Sequence, residues 1–316
     1  MRIVEEATLR QRVQEDEAMA SAQRAFRALA EDKLEQPPPM SMALPQVRGE
    51  VHVKGAYLTG SPIFAIKVAS GFYLNPQRGL PSGSGLVLVF DATSGFPVAL
   101  LRDNAYLTDL RTAAAGALAV RLLAPRSIER VAVLGSGVQA RFQMLAISRV
   151  IDWRGASAWS PHRQNRERYC REMEARLGKP FSPASHPREA VVGAGLIITV
   201  TTSREPLVEA SWVAPGATVV AVGSDGPEKQ ELEARLLGRA DKVIADRLSQ
   251  CVRLGEIHHA VAEGVLREQQ VYAELGDVWV GKKPGREGDE LIVCDLTGVG
   301  AQDAAIAEVA WNRLQG

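Results

Sequence analysis

Residues 131–140 read VAVLGSGVQA, in which an apolar strand passes directly into a glycine-rich turn and then into an apolar helix. In this G-x-G-x-x-A pattern, Gly135 permits a tight turn and Gly137 lets a pyrophosphate approach the backbone. The small Ala140 lets the helix pack against the strand, and the first N–H groups of the helix face the phosphates. The pattern predicts a dinucleotide-binding turn, with a glycine-rich turn in an unrelated α/β domain as the alternative.

The chain from residue 129 onward alternates short strands with helices. Most of the predicted strands are apolar or β-branched runs, as expected for strands that are covered on both faces. They lie at residues 131–134, 156–159, 196–200, 218–222, 242–245 and 291–294. Helices are predicted between them, for example at 163–177 and 228–237. This alternation favours a parallel sheet, which supports the dinucleotide-binding interpretation of the turn.

The first part of the chain has a different pattern. Apolar residues at roughly helical spacing predict a helix over residues 3–35, and the triple proline at 37–39 ends it. Alternating or mostly apolar runs then predict short strands at residues 51–54, 64–68 and 86–90.

An Ala-rich segment from Arg111 to Leu123 predicts a helix that stops before Pro125, and the tail at 303–314 predicts a last helix that packs on the N-terminal domain. The fold class we expect is α/β, with a Rossmann dinucleotide-binding domain plus a smaller α+β domain. The smaller domain is predicted to comprise residues 1–124 with 301–316, and the Rossmann domain residues 125–300.

Composition and charge exclude several classes of protein. The 316 residues are 46% hydrophobic and 23% charged, which is typical of a globular protein and long enough for two domains. Because 37 basic residues balance 37 acidic ones, no net charge attracts nucleic acid or an anionic membrane. The basic stretch from Arg163 to Arg171 is interrupted by Glu167 and is interpreted as the solvated face of a helix.

The cysteines and the N-terminus favour a cytoplasmic protein. Cys170, Cys251 and Cys294 are far apart and form no Cys-x-x-Cys pair, so reduced thiols are expected. Residues 1–14 carry several charges, and no apolar run reaches the length that crosses a bilayer.

The end of the second Rossmann strand indicates which nicotinamide dinucleotide binds. An Asp or Glu at this point would accept hydrogen bonds from the ribose and repel a 2′-phosphate. Ser160 stands there instead, and His162 and Arg163 are nearby as phosphate partners. We therefore expect NADP(H) to be favoured, with NAD(H) still possible; the alternative for Arg163 is that it merely begins a surface helix.

Lys67 and Arg111 are cations at positions where a solvated charge is not the obvious interpretation. Lys67 interrupts an apolar run, and Arg111 opens the Ala-rich helix. A guanidinium offers a fork of donors that matches a carboxylate, so both are candidate substrate ligands. From spacing alone, an ion-paired structural role for each remains the alternative.

Asp225 follows the predicted strand at 218–222, at the carboxyl end of a parallel strand where open α/β sheets bind ligands. A carboxylate there can move a proton to or from a substrate nitrogen. The alternative is that Asp225 caps a helix that begins near Glu228. The adjacent His258 and His259 point in different directions on a helix, so we interpret them as packing or cleft-lining residues and expect no metal site.

The chain resembles the ornithine cyclodeaminase and mu-crystallin family from about residue 35 to its end. The residues that carry the resemblance are AIKV at 65–68, LTDLRTAA at 107–114, the turn at 135–140 and VGSD at 222–225. Within the family it is most similar to the ectoine-utilisation, cyclodeaminase-like branch. The residues behind that likeness are RGEV at 48–51, LGEIHHA at 254–260 and DLTG at 295–298.

The resemblance implies a homodimer whose N-terminal domains pair, with the active site between that substrate-binding domain and the Rossmann domain. It implies that Lys67 and Arg111 hold the substrate carboxylate and that Asp225 is the acid–base residue. It also places a set of residues near the dinucleotide, namely Ser82, Arg111, Thr112, Val138, Gln139, Thr201, Val222 and Lys229. Ornithine cyclodeaminases have a further carboxylate-binding Arg where this chain has Met40, and Arg48 or Lys54 is the candidate substitute.

The expected function is an NAD(P)-dependent oxidoreductase that transfers hydride at the α-carbon of a small imino or amino acid. Ketimine or imino-acid reduction and amino-acid dehydrogenation both fit this description. The alternatives are a redox-neutral cyclodeaminase that retains its cofactor, and a non-catalytic binding protein of the crystallin type.

Overall fold

The computed structural model describes residues 1–315, which form two compact units. One unit contains residues 1–111 and the C-terminal segment from Val299, and the other contains residues 112–298. The division falls inside the Ala-rich helix, whereas the sequence placed the domain boundary at its end, after residue 124.

The first unit begins with a sheet of mainly antiparallel strands. Its strands are β1 (Arg2–Glu5), β2 (Leu34–Glu35), β3 (Met40–Leu44), β4 (Gly49–Leu58), β5 (Ile63–Phe72), β6 (Gly83–Asp91) and β7 (Pro97–Arg102). The hydrogen-bonded order within residues 1–111 is β1-β7-β6-β5-β4-β2, with β3 paired to β4. All of these pairs are antiparallel except β1 with β7.

Two helices, α1 (Glu6–Arg12) and α2 (Glu15–Ala30), lie between β1 and β2, and α3 (Tyr106–Leu123) follows β7. The predicted helix over residues 3–35 is therefore wrong at both ends and in the middle. Its first residues form β1, because they pair with β7 almost a hundred residues later, and a propensity pattern does not record such a partner. A break at Val13 separates α1 from α2, where the Glu17 carboxylate accepts a hydrogen bond from Gln14 N at 2.8 Å and starts the second helix.

The second unit is built around a parallel sheet. Its strands are β8 (Arg130–Leu134), β9 (Gly155–Trp159), β10 (Phe181–Pro183), β11 (Leu196–Thr199), β12 (Arg204–Val208), β13 (Thr218–Ala221), β14 (Gln230–Leu232), β15 (Lys242–Ala245), β16 (Ala273–Glu274) and β17 (Ile292–Asp295). The main sheet has the order β10-β9-β8-β11-β13-β17-β15-β16, and β12 pairs with β14 outside it. Strands β8, β11 and β13 are buried along nearly their whole length, as expected for a sheet that is covered on both faces.

Helices connect these strands in the manner of a doubly wound fold. They are α4 (Val138–Ile147), α5 (Arg163–Leu177), α6 (Pro187–Val191), α7 (Ala234–Arg239), α8 (Leu248–Cys251), α9 (Gly255–Ala262) and α10 (Leu275–Trp279). Because the chain moves outward from β8 in both directions, the sheet changes winding direction between β8 and β11. The turn at Gly135 therefore lies at this switch point.

The last helix, α11 (Gly300–Gln315), returns to the first unit and packs on α2, β4 and β5. Its start lies very close to β4, because a Cβ placed on Gly300 would be 2.5 Å from the backbone oxygen of Gly55. Only glycine fits at that approach. The prediction that the tail packs on the N-terminal domain is confirmed, and so is the fold class of a Rossmann domain with a smaller α+β domain.

The cysteines Cys170, Cys251 and Cys294 are buried free thiols. Across residues 1–315, each helix is too short or too polar to span a lipid bilayer.

Candidate active site

Lys67 and Arg111 converge on one carboxylate in the first unit. Lys67 comes from the middle of β5, Arg111 from the second turn of α3, and Asp303 from the first turn of α11. Lys67 Nζ donates to Asp303 Oδ1 at 2.9 Å, and Arg111 Nε donates to the same oxygen at 2.8 Å. The three side chains are between 3% and 6% exposed, so this is a buried charge cluster.

Arg111 does not open its helix as predicted, because α3 begins at Tyr106. The Asp103 carboxylate accepts a hydrogen bond from Leu107 N at 2.9 Å and satisfies a free N–H of the first turn. This earlier start places Arg111 one turn into the helix, where its guanidinium is buried against α11 rather than at the helix end.

A third cation, Lys54, belongs to the same cluster. Lys54 of β4 is directly opposite Lys67 of β5 in the antiparallel register, so their side chains lie on one face of the sheet. Both are buried, and like charges that face each other across strands are unfavourable. The arrangement concentrates positive charge beneath α11.

Burial is the main reason that the pKa of Lys67 falls to about 7, and repulsion from Arg111 and Lys54 lowers it further. The negative charge of Asp303 acts in the opposite direction and favours the protonated amine. Burial alone would raise the pKa of Asp303, but the attraction of Arg111 and Lys67 outweighs it, so the pKa of this carboxyl is lowered. The protonation states of Lys67 and Asp303 therefore depend on each other and on the charge of Arg111.

The two cations keep donors that the described residues do not use. Arg111 Nη1 donates to Gln302 Oε1 at 3.3 Å, and within residues 1–315 Nη2 makes no hydrogen bond. In the same part of the chain, Lys67 Nζ donates only to Asp303. The ion pairing that spacing alone left as the alternative is thus observed, and the unused N–H groups match what a carboxylate ligand requires.

The glycine-rich turn of the second unit joins β8 to α4. Gly135 has φ +124°, and a Cβ there would be 2.8 Å from the backbone oxygen of Val200, so both conformation and space require glycine. Gly137 is different, because its φ of −84° suits any residue and a Cβ would have no described atom within 4 Å. The backbone at Gly137 therefore borders open space at the N-terminus of a helix, which is the cradle that a pyrophosphate needs.

At the end of β9, Ser160 is buried and its Oγ lies 2.9 Å from the Oγ of Ser136, which donates to it. Arg163 is the first residue of α5, is 80% exposed and pairs with Glu167 at 2.6 Å, so it does begin a surface helix. Sequence reasoning missed Arg166, whose Nη1 donates to the Ser160 carbonyl at 3.0 Å. Arg166 is therefore anchored at the ribose-specificity position, whereas Arg163 pairs with Glu167.

Asp225 lies in the turn that follows β13. Lys229 Nζ donates to Asp225 Oδ1 at 2.6 Å, and the Ser224 hydroxyl donates to the carbonyl of Lys229. The predicted helix at 228–237 is wrong, since residues 230–232 form β14 and α7 starts only at Ala234. Asp225 is consequently not the N-cap of a helix.

Buried acids hold the loops at this edge of the sheet. The Glu231 carboxylate accepts from Thr201 N at 2.5 Å and from Gly223 N at 2.9 Å, so it links the segments that follow β11 and β13. Glu256 in turn accepts from the backbone N–H groups of Glu231 and Leu232. Burial raises the pKa of both acids, and the pKa of Glu256 is raised further by neighbouring carboxylates. Sequence reasoning missed these residues, because an acid whose partners are backbone groups leaves no local pattern.

The other predicted site residues are distributed between the two units. Arg48 is an exposed residue with φ +47° immediately before β4, and half-buried Ser82 precedes β6. The carbonyl oxygen of Thr112 accepts a hydrogen bond from Gln143 Nε2 at 3.0 Å. In the turn itself, Val138 is exposed and Gln139 is half-buried. The rings of His258 and His259 each contact a backbone carbonyl, of Val252 and Lys229 respectively.

The chain is similar to known proteins along its whole length. The model of the ornithine cyclodeaminase/mu-crystallin family matches residues 1–316. An uncharacterized cyclodeaminase of Sinorhizobium fredii is 41% identical over 318 residues, covering 100% of this chain and 96% of that protein.

Two solved structures share the fold. Thermococcus litoralis Δ1-pyrroline-2-carboxylate reductase, in complex with NADH and L-proline, superposes with a TM-score of 0.94 at 28% identity and covers 100% of this chain and 98% of its own. An archaeal alanine dehydrogenase dimer with bound NAD gives a TM-score of 0.92 at 33% identity, covering 100% of this chain and 96% of that one.

Proposed function

We propose that this chain, which belongs to the ornithine cyclodeaminase/mu-crystallin family, is an NAD(P)-dependent oxidoreductase acting at the α-carbon of a small imino or amino acid. The relatives reported above include a pyrroline-carboxylate reductase and an alanine dehydrogenase, which support this reaction class. The observation that carries the proposal is the pair of buried cations, Lys67 and Arg111, whose unused donors suit the carboxylate that imino and amino acids share.

Lys67 and Arg111 bind and orient the substrate carboxylate. The protonated amine and the guanidinium both attract it, and the fork of Arg111 fixes its plane. Because both side chains are buried, these interactions are stronger than they would be in water. Fixing the carboxylate restricts the orientation of the adjacent α-carbon, and this restriction is the main way in which positioning lowers a reaction barrier.

Asp225 holds or moves the proton of the substrate nitrogen. Its carboxylate accepts a hydrogen bond from Lys229 Nζ, and Glu231 holds the turn after β13 through the N–H of Gly223. Arg48, exposed immediately before β4, is also proposed to contact the substrate.

The dinucleotide fits the glycine-rich turn, since the open space at Gly137 is where a pyrophosphate would lie. When bound, the nicotinamide supplies or accepts the hydride. The residues that would hold the dinucleotide are Ser82, Arg111, Thr112, Gly135, Gly137, Val138, Gln139, Ser160, His162, Arg163, Thr201, Val222 and Lys229.

NADP(H) is the preferred form in this proposal, with NAD(H) also accepted. Ser160 replaces the acid that would repel a 2′-phosphate, and Arg166 is anchored beside it with His162 and Arg163 at the surface. The solved relatives carry NADH and NAD, so the preference is a specific and testable difference.

The chain is also proposed to act as a homodimer in the cytoplasm. The alanine dehydrogenase relative is a dimer, and β3 exposes Met40, Met42 and Leu44 on a sheet edge that a second copy can cover. The three free thiols fit a reducing compartment.

Reduced-nicotinamide absorbance tests the function directly. The purified protein is assayed with NADPH and with NADH against cyclic imines and against α-keto acids plus ammonia or methylamine, and with NADP⁺ and NAD⁺ against ornithine and aspartate. Steady oxidation of the reduced dinucleotide with an imino acid is expected from the wild type and not from Asp225→Asn. Absence of turnover across the panel would contradict the proposal.

The second candidate is a redox-neutral cyclodeaminase, favoured by the 41% identical relative that carries this name. Ammonia release from ornithine without net change in dinucleotide absorbance would identify it. A non-catalytic binding protein is the remaining alternative, and dinucleotide binding without any turnover or ammonia release would support it.

A further inference from the structure

We infer that Asp303 is a positioning residue that holds Lys67 and Arg111 together as one carboxylate-binding pair. The inference rests on the proposed function, because it assumes that these two cations bind the substrate. Asp303, from the C-terminal helix, contacts the two cations that bind the substrate and does not contact the reacting atoms.

Two buried cations do not stay side by side without a shared counter-charge. Lys67 and Arg111 repel each other, and Lys54 adds a third positive charge on the same sheet face. Asp303 Oδ1 accepts from both Lys67 and Arg111, so one oxygen sets the distance between the amine and the guanidinium. Removing that oxygen would let the cations separate and would favour the neutral amine.

The backbone holds Asp303 at a fixed place. The start of α11 approaches β4 so closely that Gly300 has no room for a side chain. Ala301 N donates to Gln36 Oε1 at 2.7 Å, and Val299 N donates to Gln302 Oε1 at 3.1 Å. The carboxylate is therefore presented by an anchored helical turn.

The charged groups that act on Lys67 come from three elements of the first unit and from the segment before α3. They are Lys54 on β4, Arg111 on α3, Asp303 on α11 and Asp103 immediately before α3. Asp103 is buried, its pKa is raised by burial, and it already accepts the N–H of Leu107. Asp303 is the acid that hydrogen bonds to Lys67, so its loss should change the protonation of the amine the most.

The test compares Asp303→Asn with Asp303→Glu and with the control Glu308→Gln. Glu308 is also a buried acid on α11, but it pairs with Arg24 and Ser61, away from the two cations. Thermal unfolding of each variant shows whether it is folded. The kinetic measurements are KM, kcat and the pH profile of kcat/KM with the imino acid that the wild type uses best.

Asp303→Asn is expected to raise KM by about tenfold or more, with a smaller change in kcat, since a buried ion pair loses its partner. The alkaline fall of kcat/KM should also move to lower pH, because Lys67 loses the charge that favours its protonated form. Asp303→Glu should recover part of both effects, and Glu308→Gln should change neither. Glu308→Gln should also bind the dinucleotide with wild-type affinity.

Calorimetric binding of cyclopentanecarboxylate, which has no basic nitrogen, separates this inference from the proposed function. Weaker binding to Asp303→Asn than to Glu308→Gln supports the inference even if the wild type turns over no imino acid. A folded Asp303→Asn protein with wild-type KM, pH profile and carboxylate affinity would overturn it and leave the proposed function intact.

Discussion

Alanine substitutions at the two glycines of the dinucleotide turn should have opposite effects on stability. Gly137→Ala adds a methyl group at φ −84°, where no described atom lies within 4 Å, so the folded state accepts it without strain. The unfolded chain loses conformational freedom, and the variant should gain about 0.4–1 kcal/mol. For a unit of this size that is an increase in Tm of roughly 1–4 °C in the absence of dinucleotide.

Gly135→Ala should destabilise the protein. The residue has φ +124°, which costs an L-residue about 1–3 kcal/mol. The new Cβ would also lie 2.8 Å from the Val200 oxygen, so a backbone segment must move. We expect a decrease in Tm of several degrees, at least about 4 °C.

Dinucleotide binding distinguishes the functional cradle from a structural turn. The methyl group of Gly137→Ala occupies the space assigned to the pyrophosphate, so the Kd for NAD(P)H should rise about tenfold or more, equivalent to about 1.4 kcal/mol. Thermal unfolding without ligand and fluorescence titration with NADPH and NADH measure the two quantities. A stabilised Gly137→Ala protein with unchanged affinity would refute the location of the pyrophosphate, and a destabilised one would refute the geometry of the turn.

Three further results are expected. The kcat/KM for an imino acid should fall as pH rises above about 7, because Lys67 then loses the charge that binds the carboxylate. This fall should be absent in Lys67→Arg, since its guanidinium stays protonated. A wild-type profile that is flat up to pH 9 would contradict the role of Lys67. The kcat of Asp225→Asn should be at least about a hundredfold lower than that of the wild type, with an unchanged dinucleotide Kd. Full activity of this variant in a steady-state assay would show that Asp225 is not the acid–base residue. Arg166→Ala should weaken NADPH binding about tenfold by titration and leave NADH binding nearly unchanged, whereas equal losses would indicate a merely structural role for Arg166.

The sequence was sufficient for the six central strands of the parallel sheet because the information that specifies them is local, whereas the short edge strands β10 and β16 were not predicted. The buried strand at 131–134 is a continuous apolar run, the strand at 242–245 is apolar after Lys242, and the structure places strands at both to within a residue. The helix at 163–177 begins and ends at the residues that the sequence indicated. Family membership and the α/β fold class were likewise predicted correctly from the motifs.

Elements whose hydrogen-bonded partners are distant along the chain could not be predicted from the local sequence pattern. Residues 230–232 have a helical composition, yet they form β14 because the strand pairs with β12 and because Glu256 accepts two of its N–H groups. Glu231 is buried within that strand, where a helical pattern would place it in solvent. Tertiary hydrogen bonds overrode local propensity here, as they also did for β1.

The candidate site shows the same division between local and distant information. Lys67 and Arg111 stand out because each is a charge within an apolar or Ala-rich segment, but their partner Asp303 lies 236 and 192 positions away from them along the chain. An acid near the start of a helix is ordinarily interpreted as favourable to the helix dipole, and this interpretation conceals Asp303. A buried, ion-paired acid can be distinguished from an exposed one by its neighbours. Residues 301 and 304–307 are all apolar, which indicates that this part of the helix is buried and that Asp303 is buried with it. A buried acid requires a cation, and the two unexplained cations of the same unit are the ones that satisfy it.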